Sequence, residues 1–249
     1  MKFINKFKSY NFNSRKNSNI KFIILHYTAL KNTDEAIKFL CSKKNAVSSH
    51  YLVSQNGLIY NLVSDSKRAW HAGVSKWNDD EDLNSQSIGI ELDFSYKYQN
   101  NIYSKKMLIS LKHLIIFLKK KHKIKSKNIL GHSDIAPFRK KDPGPKFPWK
   151  LFAYKNIIFY PKTNSILDLI SLEKWFKING FSSRKNISLF ILTYIGYDAN
   201  LTKKNKKLFK KIIVAYQCRY IQSNITGKND DITFKHLLRH YISLVLTKT

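Results

Sequence analysis

Residues 130–149 read LGHSDIAPFRKKDPGPKFPW. This stretch holds one His, two Asp, four Pro, two Gly and a cluster of cations, and proline at that density excludes a continuous helix or a central strand. It reads as a stiff loop. His132 and Asp142 lie ten residues apart, Pro143, Gly144 and Pro145 stiffen the chain just after the carboxylate, and Lys140 stands two residues before it. A rigid loop carrying an imidazole and a carboxylate suits a metal. A catalytic zinc takes three protein ligands from His, Asp, Glu or Cys and keeps a fourth position for water, so this pair needs one more ligand from elsewhere.

Working outward, three short apolar runs bring polar groups towards the loop. Residues 20–25, IKFIIL, have the β-branched character of a buried strand and run straight into His26. The carboxyl ends of strands in an open α/β sheet line the crevice where ligands bind, which makes His26 the leading third ligand; the alternative is a hydrogen-bonded core histidine. A short strand over 128–130 delivers His132 in the same way. The run 87–92, SIGIEL, carries Glu91 among apolar neighbours. A buried carboxylate is costly unless paired or put to use, so Glu91 is either a catalytic base or half of a structural ion pair.

The other periodicities supply the scaffold. A helix is expected over 33–40, with Thr33 as N-cap and Ala36, Ile37 and Leu40 on one face. Residues 50–54 and 58–63 read as a hairpin about Gln55-Asn56-Gly57. The clearest helical period covers 104–123, with Ser104 as cap, Met107, Leu108, Leu111, Leu114, Ile115 and Leu118 inward, and His113 and His122 at the surface. These elements predict an α/β domain with a mixed central sheet flanked by helices. After a linker-like stretch at 160–164, helical patterns at 166–178, 186–195, 206–220 and 231–246 predict a small all-α domain. The expected organisation is a flexible N-terminal lead-in at 1–19, an α/β domain at 20–161 and a helical domain at 166–247. His236 and His240 have i,i+4 spacing but lack a third ligand nearby, so they are expected at the surface.

The 249 residues carry a formal charge of +29. Only six of the 45 cations are Arg, and the Lys excess comes with many Asn, Ile, Tyr and Phe, a composition that follows A·T-rich codons. The charge is spread along the chain and Arg, the preferred base reader, is scarce, so no specific nucleic-acid partner is expected, although anionic polymers in general would be attracted. Cys41 and Cys218 do not suggest a disulfide framework. No apolar run is long enough for a transmembrane segment, and the basic N-terminus lacks the apolar stretch of a secretory signal. These features point to a cytoplasmic location and a monomer.

Two imidazoles and one carboxylate, from His26, His132 and Asp142, would hold zinc with a position left for water. A hydrolase then needs a base and a donor for the developing oxyanion. Glu91 is the natural base. Lys140 is the natural oxyanion partner, since its spacing from Asp142 aims both side chains the same way in an extended segment.

The segments ILHYTA around His26, VSSHYLVSQNG, AWHAG, SIGIEL and GHSDIAPFRKKDPGP, in that order, resemble the zinc-dependent N-acetylmuramoyl-L-alanine amidases of peptidoglycan-recognition-protein fold. The resemblance implies a mixed sheet flanked by helices, zinc on His26, His132 and Asp142, Glu91 as catalytic acid/base, and Lys140 beside the scissile carbonyl. The implied reaction is hydrolysis of the amide joining N-acetylmuramic acid to L-alanine of the stem peptide, in peptidoglycan or muropeptide. Some relatives carry Tyr where this chain has Ser49, which throws more of the base role onto Glu91. His50 and His71 are candidates to face the substrate in the pocket, or to support the ligands from behind. The second half resembles the peptidoglycan-binding module of two-domain amidases in IGYD at 195–198, in Tyr216-Gln217 and in the TGKNDDIT turn. Such relatives are often secreted or lipid-anchored, which implies the periplasm or outer membrane as the alternative location. The alternative function is a recognition protein that binds muropeptide without cutting it.

Overall fold

The β-branched runs of the first half pair into one sheet. In chain order the computed structural model, which describes residues 2–16, 19–100 and 102–246, begins with β1 (Phe3–Ile4), β2 (Phe12–Ser14), β3 (Phe22–Tyr27), α1 (Thr33–Cys41), β4 (Tyr51–Val53) and β5 (Ile59–Asn61). Next come β6 (Lys67–Ala69), α2 (Leu83–Gln86), β7 (Ser87–Leu92), α3 (Lys105–His122), β8 (Ile129–Gly131) and α4 (His132–Ile135). The helices α5 (Trp149–Ala153), α6 (Ile166–Ile178), α7 (Arg184–Ile195), α8 (Lys206–Tyr220) and α9 (Asp231–Leu246) complete the chain. The central sheet has the order β1-β5-β4-β7-β3-β8. Strands β4, β7, β3 and β8 run parallel, and β5 returns antiparallel to β4 as the expected hairpin. The mixed sheet and its flanking helices agree with the fold class expected.

The inner strands are buried on both faces, which is why they read as continuous apolar runs. On one face α3 seats Met107, Leu111, Leu114, Ile115 and Leu118, all fully buried, each contributing about 2 kcal/mol of apolar burial. Ser104 Oγ caps this helix by accepting from Met107 N. The cap of α1 differs from expectation. Asn32 accepts from Glu35 N, and Thr33 instead donates its hydroxyl to Asp93, because the amide one residue earlier already satisfies the free N–H.

The flexible lead-in expected at 1–19 is corrected over its described part. β1 extends the central sheet beside β5, and β2 pairs antiparallel with β6. Arg15 then donates to the carbonyls of Asp65, Ser85 and Ser87 at 2.7–2.9 Å. Polar composition concealed this because the segment is held by backbone pairing, by buried polar side chains such as Asn11, which donates to Ser42 O and Val47 O, and by the isolated rings of Phe3 and Phe7 rather than by a continuous apolar stripe. Met1, Asn17 and Ser18 lie outside the described residues.

The helical half does not stand apart. One continuous core joins Phe22, Ile24, Leu83, Leu130 and Ile135 to Leu192, Ile213, Tyr216 and Leu237. Trp77 packs edge-on to Tyr197 at 4.9 Å and fills the space above Gly196, where a Cβ would stand 2.4 Å from its ring. The linker-like stretch is pinned as well, by Tyr160 Oη donating to Tyr220 O at 2.8 Å and Lys162 N donating to Ser243 Oγ at 2.9 Å. The surface placement expected for His240 is overturned, since it is 1 % exposed and stacks on Phe159. His236 is half-buried beside the Tyr216 hydroxyl. Both histidines belong to the core between the halves.

Candidate zinc centre

Strand register assembles the site. In the parallel pair β3–β7 His26 stands opposite Glu91, and Leu25 stands opposite Gly131 on β8. Residue 132 therefore continues the same row, and three neighbouring strands about 4.8 Å apart present His26, Glu91 and His132 at their carboxyl ends. The stiff loop folds back and brings in Asp142, with Ser133 N donating to Asp142 O at 2.8 Å.

The three candidate ligands converge on one point. His26 Nδ1 lies 2.9 Å from His132 Nδ1, and each lies 3.0 Å from Asp142 Oδ2. Donors bound about 2.0 Å from a tetrahedral zinc are separated by about 3.3 Å, so this triangle matches one face of such a site with slight contraction.

Hydrogen-bond partners assign which ring nitrogens are bare. Ser87 Oγ donates to Leu83 O, so it accepts from His71 Nε2, 3.2 Å away. His71 Nδ1 is then bare and accepts from His26 Nε2 at 3.0 Å, which leaves the lone pair of His26 Nδ1 facing the cluster. His132 Nε2 donates to Ala72 O at 3.0 Å, so in the neutral ring the lone pair lies on Nδ1. Burial holds His26 down at about 4, so its ring is neutral. With both rings neutral, two imidazole lone pairs and a carboxylate oxygen face one another at 2.9–3.0 Å. Such a set is repulsive alone and fits a cation.

Glu91 stands beside this cluster, half-buried, with Oε2 shut from solvent and without a hydrogen-bond partner. Burial, then the negative charge of Asp142, push its carboxyl up to about 8, against the opposing pull of Lys140. Among the described residues it is not half of an ion pair, and a carboxyl poised near neutrality suits proton transfer.

Residues 16–145 match the N-acetylmuramoyl-L-alanine amidase family. The chain belongs to that family. It is 32 % identical over 234 residues to the N-acetylmuramoyl-L-alanine amidase AmiD of Escherichia coli, covering 85 % of this chain and 78 % of the relative. It is also 40 % identical over 107 residues to the 1,6-anhydro-N-acetylmuramyl-L-alanine amidase AmpD of Haemophilus influenzae, covering 43 % of this chain and 56 % of that protein. Among solved structures, Escherichia coli AmiD with anhydro-N-acetylmuramic acid-L-Ala-D-γ-Glu-L-Lys superposes with a TM-score of 0.74 at 28 % identity, over 92 % of this chain and 90 % of that one. Pseudomonas aeruginosa AmpDh3 with an anhydromuramic pentapeptide gives 0.76 at 29 %, over 92 % of each chain.

In this amidase the substrate-facing positions expected for His50 and His71 are corrected. His50 is fully buried; its Nδ1 accepts from Gly89 N and its Nε2 donates to Lys67 O, both at 3.0 Å. His71 sits behind His26, in space that exists because residue 89 is glycine: a Cβ there would stand 2.4 Å from the His71 ring. His71 thus backs His26 directly, while His50 ties the backbone of β7 at Gly89 to that of β6 at Lys67. Ser49, in the place where some relatives carry Tyr, keeps a buried hydroxyl without a partner. Lys140 is half-buried on the loop.

Sequence reading missed the groups that hold the ligands. Ser87 opens SIGIEL and looks like an ordinary strand residue. Asn84 Oδ1 accepts from His71 N and Ala72 N at 3.0 and 2.7 Å, which sets the AWHAG turn. Arg139 Nη2 donates to Ala72 O and Val74 O, both at 2.7 Å. The one available signal was Asn84 and Arg139 beside motifs already singled out, but their partners are backbone carbonyls and amides, which sequence does not mark.

Proposed function

We propose that this amidase releases the stem peptide from 1,6-anhydro-N-acetylmuramyl peptides by hydrolysing the amide between the lactyl group and L-alanine. The observation that carries the reading is the triangle of His26 Nδ1, His132 Nδ1 and Asp142 Oδ2 beside Glu91, whose buried Oε2 has no hydrogen-bond partner among the described residues. The anhydro form is favoured because the two aligned structures hold anhydromuramyl peptides. His26, His132 and Asp142 would hold zinc, which when bound supplies Lewis acidity and lowers the pKa of water. Glu91 takes the proton of the attacking water and passes it to the departing amine, as a carboxyl of raised pKa does well near neutral pH. Lys140 places its ammonium where negative charge develops on the carbonyl oxygen. A soluble anhydro-muropeptide fits a cytoplasmic protein, and fractionation of the native cells tests that location.

The deciding experiment is hydrolysis of an anhydro-muropeptide by zinc-loaded and chelator-stripped protein, read by chromatography of released peptide. Zinc-dependent release is the expected result. Binding of muropeptide by the zinc-loaded protein with no release would replace this reading with that of a recognition protein.

A further inference from the structure

The loop that supplies His132 and Asp142 is gripped along its length by the helical half of the chain. Arg219 on α8, 2 % exposed, donates through Nη1 to Asp134 and through Nη2 to Ile129 O at 2.8 Å. Its guanidinium lies 4.3 Å over the Trp149 ring at the far end of the loop. Tyr197 donates its hydroxyl to the other oxygen of Asp134 at 2.7 Å. Asp134 in turn accepts from Gly131 N at 2.7 Å, so one carboxylate ties the helical half to the turn that aims His132. Past Asp142 the grip continues: Gln222, just beyond α8, donates to Pro145 O and Phe147 O at 2.6 and 2.7 Å. Between the ligands, Lys211 donates to Phe138 O at 2.9 Å.

We infer that α8 and the residues just after it form part of the metal centre's support, with Arg219 and Gln222 as positioning residues for His132 and Asp142. The contacts fall before, between and after the two ligands. A pairing that served only to join the halves would not need to bracket both ligands, and the Trp77–Gly196 contact already joins them. Buried guanidinium–carboxylate pairs confer little net stability, while fixed partners behind ligands commonly raise metal affinity about 10–100-fold. The helical half is therefore required for zinc affinity whatever it does towards peptidoglycan. This inference rests on the zinc reading given above.

The test compares the full chain with Arg219→Met, Arg219→Lys, Gln222→Leu and Leu238→Ala, the last loosening the α9 core without touching the loop. Zinc affinity is measured by competition with a chromophoric chelator, and the cobalt-substituted proteins are compared by their visible absorption, all where circular dichroism shows them folded. Arg219→Met and Gln222→Leu are expected to weaken zinc binding about tenfold or more and to alter the cobalt spectrum. Arg219→Lys should fall between them and wild type, and Leu238→Ala should leave both readouts unchanged. Equal zinc affinity across all variants, or losses that follow stability and include Leu238→Ala, would overturn the inference. Should Arg219→Met not fold, Gln222→Leu decides alone, since it leaves the buried pair intact. Failure of the wild type to bind zinc would defeat the zinc reading itself, a separate result.

Discussion

His71 Nδ1 lies 3.0 Å from Nε2 of His26, and His71 Nε2 lies 3.2 Å from the Ser87 hydroxyl. Because Ser87 gives its proton to Leu83 O, the direction of every hydrogen bond in this chain is set from the backbone outward. The end of the chain is a bare nitrogen on His26 aimed at His132 and Asp142. Replacing His71 by Ala removes the acceptor and leaves His26 free to turn or change tautomer. Zinc affinity should fall about 10–100-fold, measured by chelator competition, and excess zinc should restore much of the activity.

Gly89 tests the same relationship from the other side. A methyl at Gly89 would stand 2.4 Å from His71 Cγ, and overpacking of this kind costs about 1–3 kcal/mol. Gly89→Ala should lower both the melting temperature and zinc affinity. Adding His71→Ala vacates the space, so the double variant should recover stability but not zinc binding. Denaturant titration with zinc competition separates the two effects.

Glu91→Gln keeps the shape of the side chain and loses only its ability to take a proton. Activity on anhydro-muropeptide should fall about 10²–10⁴-fold, with zinc affinity unchanged. Since Oε2 of Glu91 has no partner in the fold, thermal stability should not fall. A large loss of zinc binding in this variant would instead make Glu91 a ligand.

At the opposite side of the sheet, Asp65 accepts from Tyr51 Oη at 2.7 Å and from Lys121 Nζ and His122 Nε2 at 2.8 Å. Burial pushes the Asp65 carboxyl up, but hydrogen bonds from Lys121, His122 and Tyr51 outweigh it and hold it below the ordinary value of 3.8. A carboxyl depressed in the folded state stabilises the fold above that value, and the contribution is lost as pH falls through the folded pKa. Stability should therefore drop as pH falls below about 3.8. Asp65→Asn should flatten that part of the profile, measured by urea unfolding at a series of pH values.

Much of the candidate site was legible in the sequence. The proline-rich loop, the strand ending at His26 and the carboxylate inside SIGIEL are local patterns, each with a physical reason to be unusual, and all three arrive at one place. The N-terminal strands were not legible because Phe3–Ile4 and Phe12–Ser14 are too short to show a period, and their pairing depends on edges supplied by β5 and β6. His240 was misplaced because an i,i+4 pair on a helix face reads the same whether that face meets water or another helix. His50 and His71 were recognised as belonging near the candidate metal site, but no pattern says on which side of a strand pair a ring lies.

The sequence by itself determined the candidate ligands, the carboxylate beside them and the α/β class, because stiff loops, β-branched runs and helical periods are properties of neighbouring residues. Only the tertiary structure decided which nitrogens face the metal position and what holds them there. Those choices depend on strand register across His26, Glu91 and Gly131, on a glycine that leaves room for His71, and on Arg219 reaching Asp134 across 85 residues of chain. Interactions of that range leave no period in the sequence, since their partners are brought together only when the whole chain has packed.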